Sequence, residues 1–291
     1  MIAFVILHYQ AIEETKDCIS SILELEGEKK IIVVDNDSPN KSGRLLKEAY
    51  SNIEDVEVII SDVNNGFAAG NNIGYAYARQ LNDVKYIVVM NNDMIIKQKD
   101  FIEKIEEVYL DTEFDILGPD IFSVKYEYHQ NPQATRNLTL GELRKKRRIL
   151  IIKKALKPLY FLRWKIFGNI IKKREPDYSR KKFETETIYD VPLHGSCYIF
   201  SESFILKNER CFDEGTFMYL ESYILFYLAK QRNERIVYDP RISLFHLEDI
   251  ATDKTIKNNY KKAIFSIDNL LKSTNYFIKL IESNGREEIS Q

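Results

Sequence analysis

The apolar residues fall into short continuous runs separated by stretches of helical spacing. Runs 3–7, 30–34, 56–60 and 86–90 are rich in Val and Ile, and continuous β-branched runs are the pattern of strands covered on both faces. Between them, 13–25 places Ile19, Ile22 and Leu23 on one helical face, and 42–50 and 68–81 also read as helices. A helix over 101–109 follows, and Ile116-Leu-Gly-Pro119 closes the unit. This alternation predicts an α/β fold with a mainly parallel sheet and helices on both faces.

The second half is less regular. Residues 189–200 read as a strand with a turn inside it, followed by a helix starting near Ser201 and another over 221–231. A strand over 235–238, the turn Asp239-Pro240 and a strand over 242–246 precede a carboxyl-terminal helix over 254–281. No internal repeat is present.

At 291 residues the chain can bury a substantial core. A content of 44% hydrophobic and 30% charged residues excludes collagen-like and low-complexity classes. Three widely spaced cysteines, Cys18, Cys197 and Cys211, form no C-x-x-C pair, which fits a reduced, cytoplasmic protein rather than a disulfide framework. The apolar start, Met1 to Leu7, has no basic region before it and reads as the first core strand. No stretch reaches the roughly 20 apolar residues that span a bilayer, so any membrane association is peripheral.

The net charge of −2 hides an asymmetry. Residues 144–182 hold sixteen Lys and Arg against Glu175 and Asp177, leaving 26 basic and 42 acidic residues elsewhere. One segment is therefore a basic island in an acidic protein.

Three polar segments sit where strands end. In Val33-Val-Asp-Asn-Asp-Ser38, Asp35 either accepts hydrogen bonds from a nucleotide base or ribose, or forms an Asx turn. The loop Asn65-Gly-Phe-Ala-Ala-Gly-Asn-Asn-Ile-Gly74 either lets a backbone approach a diphosphate at a helix start or merely caps that helix. It matches neither a Walker A loop nor G-x-G-x-x-G. In Met90-Asn-Asn-Asp93, Asp93 is either a ligand to Mg²⁺ or Mn²⁺, which needs only one or two protein carboxylates when phosphates and water complete the shell, or a turn residue.

Together with Ile6-Leu-His-Tyr9, Leu193-His-Gly-Ser-Cys197, Phe212-Asp-Glu214, Phe217-Met-Tyr219 and His246-Leu-Glu-Asp249, these segments resemble the family 2 glycosyltransferases of GT-A (Rossmann-like) fold, especially bacterial rhamnosyltransferase-type enzymes that build surface polysaccharides. The resemblance implies that Asp35, Asn65, Gly66, Asn71, Asn92 and His194 line a nucleotide-sugar cleft. It also implies that Asp93 and His246 approach a Mg²⁺ or Mn²⁺ ion on the donor diphosphate. Asn91 replaces the first carboxylate of the family's D-x-D-like motif. For His246 the alternative is a half-buried strand histidine.

Family members invert the anomeric centre and need a carboxylate to take the acceptor's proton. The family places it in an acidic pair after Phe-Met-Tyr. Here the segment reads Tyr219-Leu-Glu-Ser-Tyr-Ile224, which leaves Glu221 as the candidate base. Either Glu221 serves, or the chain is a weak or inactive nucleotide-sugar-binding protein. The resemblance further implies a UDP- or dTDP-linked donor and a growing, lipid-linked glycan acceptor.

The sequence divides into a nucleotide-sugar half over 1–125, a basic amphipathic insertion over 140–183, an acceptor half over 185–250 and a helical extension over 254–291. The insertion mixes cations with apolar and aromatic residues. It either lies in an anionic headgroup layer on the inner face of the cell membrane or packs an apolar stripe on the main domain. No nucleic-acid-binding motif accompanies its charge, and no nucleic-acid partner is expected.

Overall fold

The computed structural model describes residues 1–158, 183–248 and 259–287. Its first half alternates β1 (Ile2–His8), α1 (Ile12–Leu23), β2 (Lys29–Asp35), α2 (Ser42–Ala49), β3 (Val56–Ile60), α3 (Gly66–Ala78) and β4 (Tyr86–Asn91). Then come β5 (Met94–Ile95), α4 (Phe101–Thr112), β6 (Ile116–Ser123), β7 (Tyr128–His129) and α5 (Leu140–Ala155). The second half contributes β8 (Ile188–Tyr189), β9 (Cys197–Ser201), α6 (Glu202–Lys207), α7 (Glu221–Gln231), β10 (Ile236–His246) and α8 (Asn259–Glu287).

The described strands form a single sheet in the order β3-β2-β1-β4-β9-β6-β10-β5, with β7 beside β6 and β8 beside β10. Strands β3, β2, β1 and β4 run parallel. Strand β9 runs antiparallel between β4 and β6, and β10 is again parallel to β6. Both halves of the chain thus build one mixed, mainly parallel sheet. The chain winds outward from β1 in both directions, to β2 on one side and β4 on the other. That is the switch point where α/β sheets leave a crevice beyond their strand ends.

The continuous apolar runs follow from burial on both faces. In β1, Ile2, Phe4 and Ile6 enter a core beneath α1, α2 and α4, while Ala3 and Val5 enter the opposite core beneath α3, α6 and α7. Several boundaries differ from the sequence reading. Ile116-Leu-Gly-Pro119 extends to Ser123 as a full strand, because β6 pairs with both β9 and β10. The strands around Asp239-Pro240 form one strand with a bulge between Asp239 and Ser243, which absorbs the proline without ending the ladder. The strand read over 189–200 divides into β8 and β9, which pair with different neighbours.

The basic segment enters the described structure as α5, which Thr139 and Glu142 start with a reciprocal capping box. Residues 159–182, and with them most of the predicted insertion, lie outside the described residues, as do 249–258 at the predicted start of the last helix. Helix α5 buries Leu143 and Leu150. Leu143 joins Leu220, Ile224, Phe277 and Ile278 in a third small core linking α5, α7 and α8. Part of its charge is paired across this contact: Arg144 with Glu282 at 2.8 Å, and Lys154 and Lys157 with Asp268 at 3.1 and 2.5 Å. Ile149, Ile151 and Ile152 of the same helix face solvent. Among the described residues no helix is long and apolar enough to cross a membrane.

Phe277 is fully buried where these three helices meet. Phe277→Ala is expected to lower stability by about 3–5 kcal/mol through lost burial and the cavity left behind. Urea unfolding measures this, and a loss below about 1 kcal/mol contradicts the docking of α8.

Candidate active site

Strands β2 and β4 end at Asp35 and Asn91, on either side of β1, where His8 pairs with Asp35 and Leu7 with Asn91. Two strand spacings place these ends about 10 Å apart. Asp35 is buried, and its Oδ1 has no hydrogen-bond partner. Its carboxylate lies against the bare Cα of Gly43, where a Cβ would stand 2.1 Å from Oδ2. Burial raises the Asp35 pKa, partly offset by hydrogen bonds from the Ser38 side chain and backbone. His8, fully buried, places Nε2 3.9 Å from Asp35 Oδ1 and hydrogen-bonds Thr15 and Ser42, each at 2.7 Å. Burial pushes His8 down to about 4, so it is neutral near pH 7.

The loop before α3 is stitched to this strand end by Asn36. Its Nδ2 donates to Gly66 O at 3.0 Å and its Oδ1 accepts from Asn65 N at 2.8 Å. Gly66 has φ +76°, and a Cβ there would lie 2.2 Å from Phe217 O, so only glycine fits. Phe67 N donates to that same oxygen at 2.8 Å, which brings the loop of Phe217 onto the start of α3. The Asn65 side chain is committed to Ser61 and Val63. Asn71 donates to Phe67 O at 2.9 Å, while its Oδ1 is buried without a partner. Asn72 holds the neighbouring segment by accepting from Cys211 N and Phe212 N and donating to Phe212 O.

Beyond β4, Asn92 turns inward and donates to Thr15 Oγ1 at 2.9 Å. Asp93 is buried, and its Oδ1 likewise lacks a hydrogen-bond partner. His246, at the end of β10, sets Nε2 3.2 Å from that oxygen, with its Nδ1 2.7 Å from Gln130 Oε1. The His194 ring stands 5.9 Å from the His246 ring, its Nδ1 2.8 Å from Ser196 Oγ. The orphan carboxylate oxygen and an adjacent imidazole nitrogen suit a divalent cation. Among the described residues no cluster of three or more His, Cys, Asp or Glu could hold a metal. Two protein ligands match Mg²⁺ or Mn²⁺ when a diphosphate supplies further oxygens, so the residues present fit the ion.

Glu221 begins α7 and is buried. Tyr219 and Leu220 before it both adopt positive φ, +77° and +72°, a strained pair of the kind found where loops are held for function. Thr216 donates to Glu221 Oε1 at 2.9 Å. Burial raises the Glu221 pKa, partly offset by the backbone N–H groups of Glu221 and Tyr219 and by Thr216. Ser222 instead donates to Gln133 at 2.8 Å.

The structure thus brings Gly66 to the strand end of Asp35 through Asn36 and gathers Asp93, His246 and His194 around another, while Asn71 bonds within its own helix and the amide nitrogens of Asn65 and Asn92 donate to protein partners. His8, Asn36 and Gln130 are additional residues of the site. His8 lies in the motif Ile6-Leu-His-Tyr9, and Asn36 follows Asp35 directly. Gln130 lies in an unpatterned stretch with no sequence signal.

The model of glycosyl transferase family 2 matches residues 3–170, more than half of the chain. A low-salt glycan biosynthesis hexosyltransferase, Agl10 of Haloferax volcanii, is 23% identical over 284 residues, covering 97% of this chain and 78% of Agl10. Crystal structures of S. aureus TarS are similar in fold. TarS 1–349 with UDP-GlcNAc superposes with TM-score 0.52 at 11% identity, covering 94% of this chain and 66% of that one. The UDP complex gives 0.51 at 12% identity, over 85% and 60%. The chain spans 36% of the longer TarS chain, at 13% identity and TM-score 0.51. This likeness identifies the sheet as a GT-A fold.

Gly43→Ala is expected to displace Asp35, because the added methyl overlaps its carboxylate. Overpacking of this kind costs about 1–3 kcal/mol, read by urea unfolding; an unchanged midpoint contradicts the tight seat of Asp35.

Proposed function

The chain belongs to glycosyl transferase family 2, and on that premise we propose that it moves a hexose from a UDP- or dTDP-linked donor to a growing, lipid-linked cell-surface glycan, with inversion. The observation that carries this reading is the set of buried oxygens without hydrogen-bond partners at Asp35, Asn71 and Asp93. Leaving such groups unpaired costs about 1–3 kcal/mol each, and a nucleotide-sugar offers what they lack. Base N–H or ribose hydroxyl groups donate to Asp35 and Asn71. Asp93 and His246 hold a Mg²⁺ or Mn²⁺ ion, with His194 nearby. The ion, when bound, neutralises negative charge on the departing nucleoside diphosphate. The nucleotides bound by TarS and the hexosyltransferase name of Agl10 support the donor class.

In this reading Glu221 is the base. It takes the acceptor hydroxyl's proton as that oxygen bonds to the anomeric carbon, opposite the breaking bond to the diphosphate. A buried carboxylate with a raised pKa is a stronger base than an exposed one, and Thr216 keeps it oriented. The competing reading is a nucleotide-sugar-binding protein with little turnover. It draws support from Ser222, which provides a hydroxyl where the family's acidic pair would continue.

We further propose that the basic face of α5, with Ile149, Ile151 and Ile152 exposed among its cations, docks peripherally on anionic lipid at the inner face of the cell membrane. Each Lys or Arg near such a surface contributes roughly 1 kcal/mol.

Glu221→Gln is expected to lower kcat by about 10²–10⁴-fold. A base works deprotonated, so wild-type kcat/KM should fall with decreasing pH through a midpoint above the ordinary glutamate value of 4.5. Full turnover in Glu221→Gln removes it from the chemistry. Cosedimentation with phosphatidylserine vesicles should be strong at low salt and lost at high salt; no binding at low salt rejects the membrane proposal.

A further inference from the structure

His246 is oriented from behind by a buried amide. Its Nδ1 lies 2.7 Å from Gln130 Oε1, and Gln130 is only 3% exposed. The other end of that amide is fixed too: its Nε2 donates to Glu248 Oε1 at 2.5 Å and reaches the Tyr128 hydroxyl at 3.4 Å. Turning the amide over would set its carbonyl oxygen against the Glu248 carboxylate and its NH₂ against His246. The carboxylate therefore decides which end is which, and the carbonyl faces the histidine.

A carbonyl oxygen only accepts, so Nδ1 must carry the proton. In a neutral imidazole the lone pair is then on Nε2, the atom 3.2 Å from the unpartnered Asp93 Oδ1. Two lone-pair atoms facing each other at that distance repel unless a cation lies between them. The main chain holds the arrangement in place. Gln130 N donates to Ile121 O at 2.8 Å, Val124 N to His246 O at 2.9 Å and Leu247 N to Asp93 O at 3.0 Å.

We propose that Gln130, held by Glu248, is a positioning residue that fixes His246 in its Nδ1–H tautomer and thereby aims the Nε2 lone pair at the cation beside Asp93. This rests on the metal reading given above and adds the device that selects it. Without Gln130 the proton can move to Nε2 and donate to Asp93 Oδ1, closing the pair against an ion. Partners behind metal-binding histidines typically affect metal affinity by 10–100-fold.

Two measurements test this. The first is ¹⁵N–¹H long-range NMR of the metal-free, full-length protein at about pH 8, above the ordinary imidazole range. His246, assigned by its loss in His246→Gln, should show the Nδ1–H pattern; an Nε2–H pattern in the wild type overturns the proposal. The second is titration of Mn²⁺ with UDP present, followed by electron paramagnetic resonance. Gln130→Leu should bind Mn²⁺ at least 10-fold more weakly, and the swap Gln130→Glu with Glu248→Gln, which restores one acceptor and one donor, should recover the affinity. Wild-type affinity in Gln130→Leu, or a swap without recovery, overturns the role of Gln130. If Gln130→Leu does not fold, the wild-type spectrum and the swap decide. Failure of the wild type itself to bind Mn²⁺ would instead refute the metal reading.

Discussion

A parallel sheet brings several strand ends to one edge, and the backbone groups there have no further ladder to join. In this protein the two strands flanking β1 lead into buried carboxylates, Asp35 and Asp93, each with one oxygen that no protein group satisfies. Asp35 is seated on the bare backbone of Gly43, and Asp93 faces an imidazole nitrogen that makes no hydrogen bond to it. Both carboxylates are buried beside their strand ends, with these oxygens unpaired at a cost in stability. Stability surrendered at a fixed point in this way is the usual mark of a binding site.

The rest of the fold serves that edge. Helix α3 starts at Gly66, whose carbonyl is held by Asn36, the residue after Asp35. The loop carrying Phe217 lands on Gly66 and leads through two strained residues to Glu221. Helix α8 holds the loop from the far side, with Ser273 donating to Met218 O and the Tyr219 hydroxyl against Ser266. The basic helix α5 packs on α8 through Leu143. A change in how α5 sits is thus connected, through α8 and one loop, to the carboxylate proposed as the base.

Much of this was legible in the sequence. The β-branched runs gave β1 to β4 to within about two residues, because strands buried on both faces leave an unbroken apolar signature. Asp35 and Asp93 were legible because they follow such runs directly. The second half was harder. Strand β10 is interrupted by Asp239-Pro240 and stays continuous only because its partner β6 tolerates a bulge, a fact of pairing that no local pattern records. The amide nitrogens of Asn65 and Asn92 donate to Ser61 and Thr15, contacts of the fold that the residue type and its neighbourhood do not record. Gln130 was invisible, since its role arises from Glu248 and His246, more than a hundred positions away.

The central claim is that the unpaired oxygens of Asp35 and Asp93 are kept for a nucleotide-sugar and its cation, and thermal unfolding tests it most directly. With Mn²⁺ and UDP the wild type should gain stability by mass action. Asp35→Asn and Asp93→Asn should each lose that gain while unfolding, without ligand, at a temperature no lower than the wild type. Variants that are less stable without ligand yet keep the full UDP and Mn²⁺ shift would show the two carboxylates to be structural, and would contradict the account.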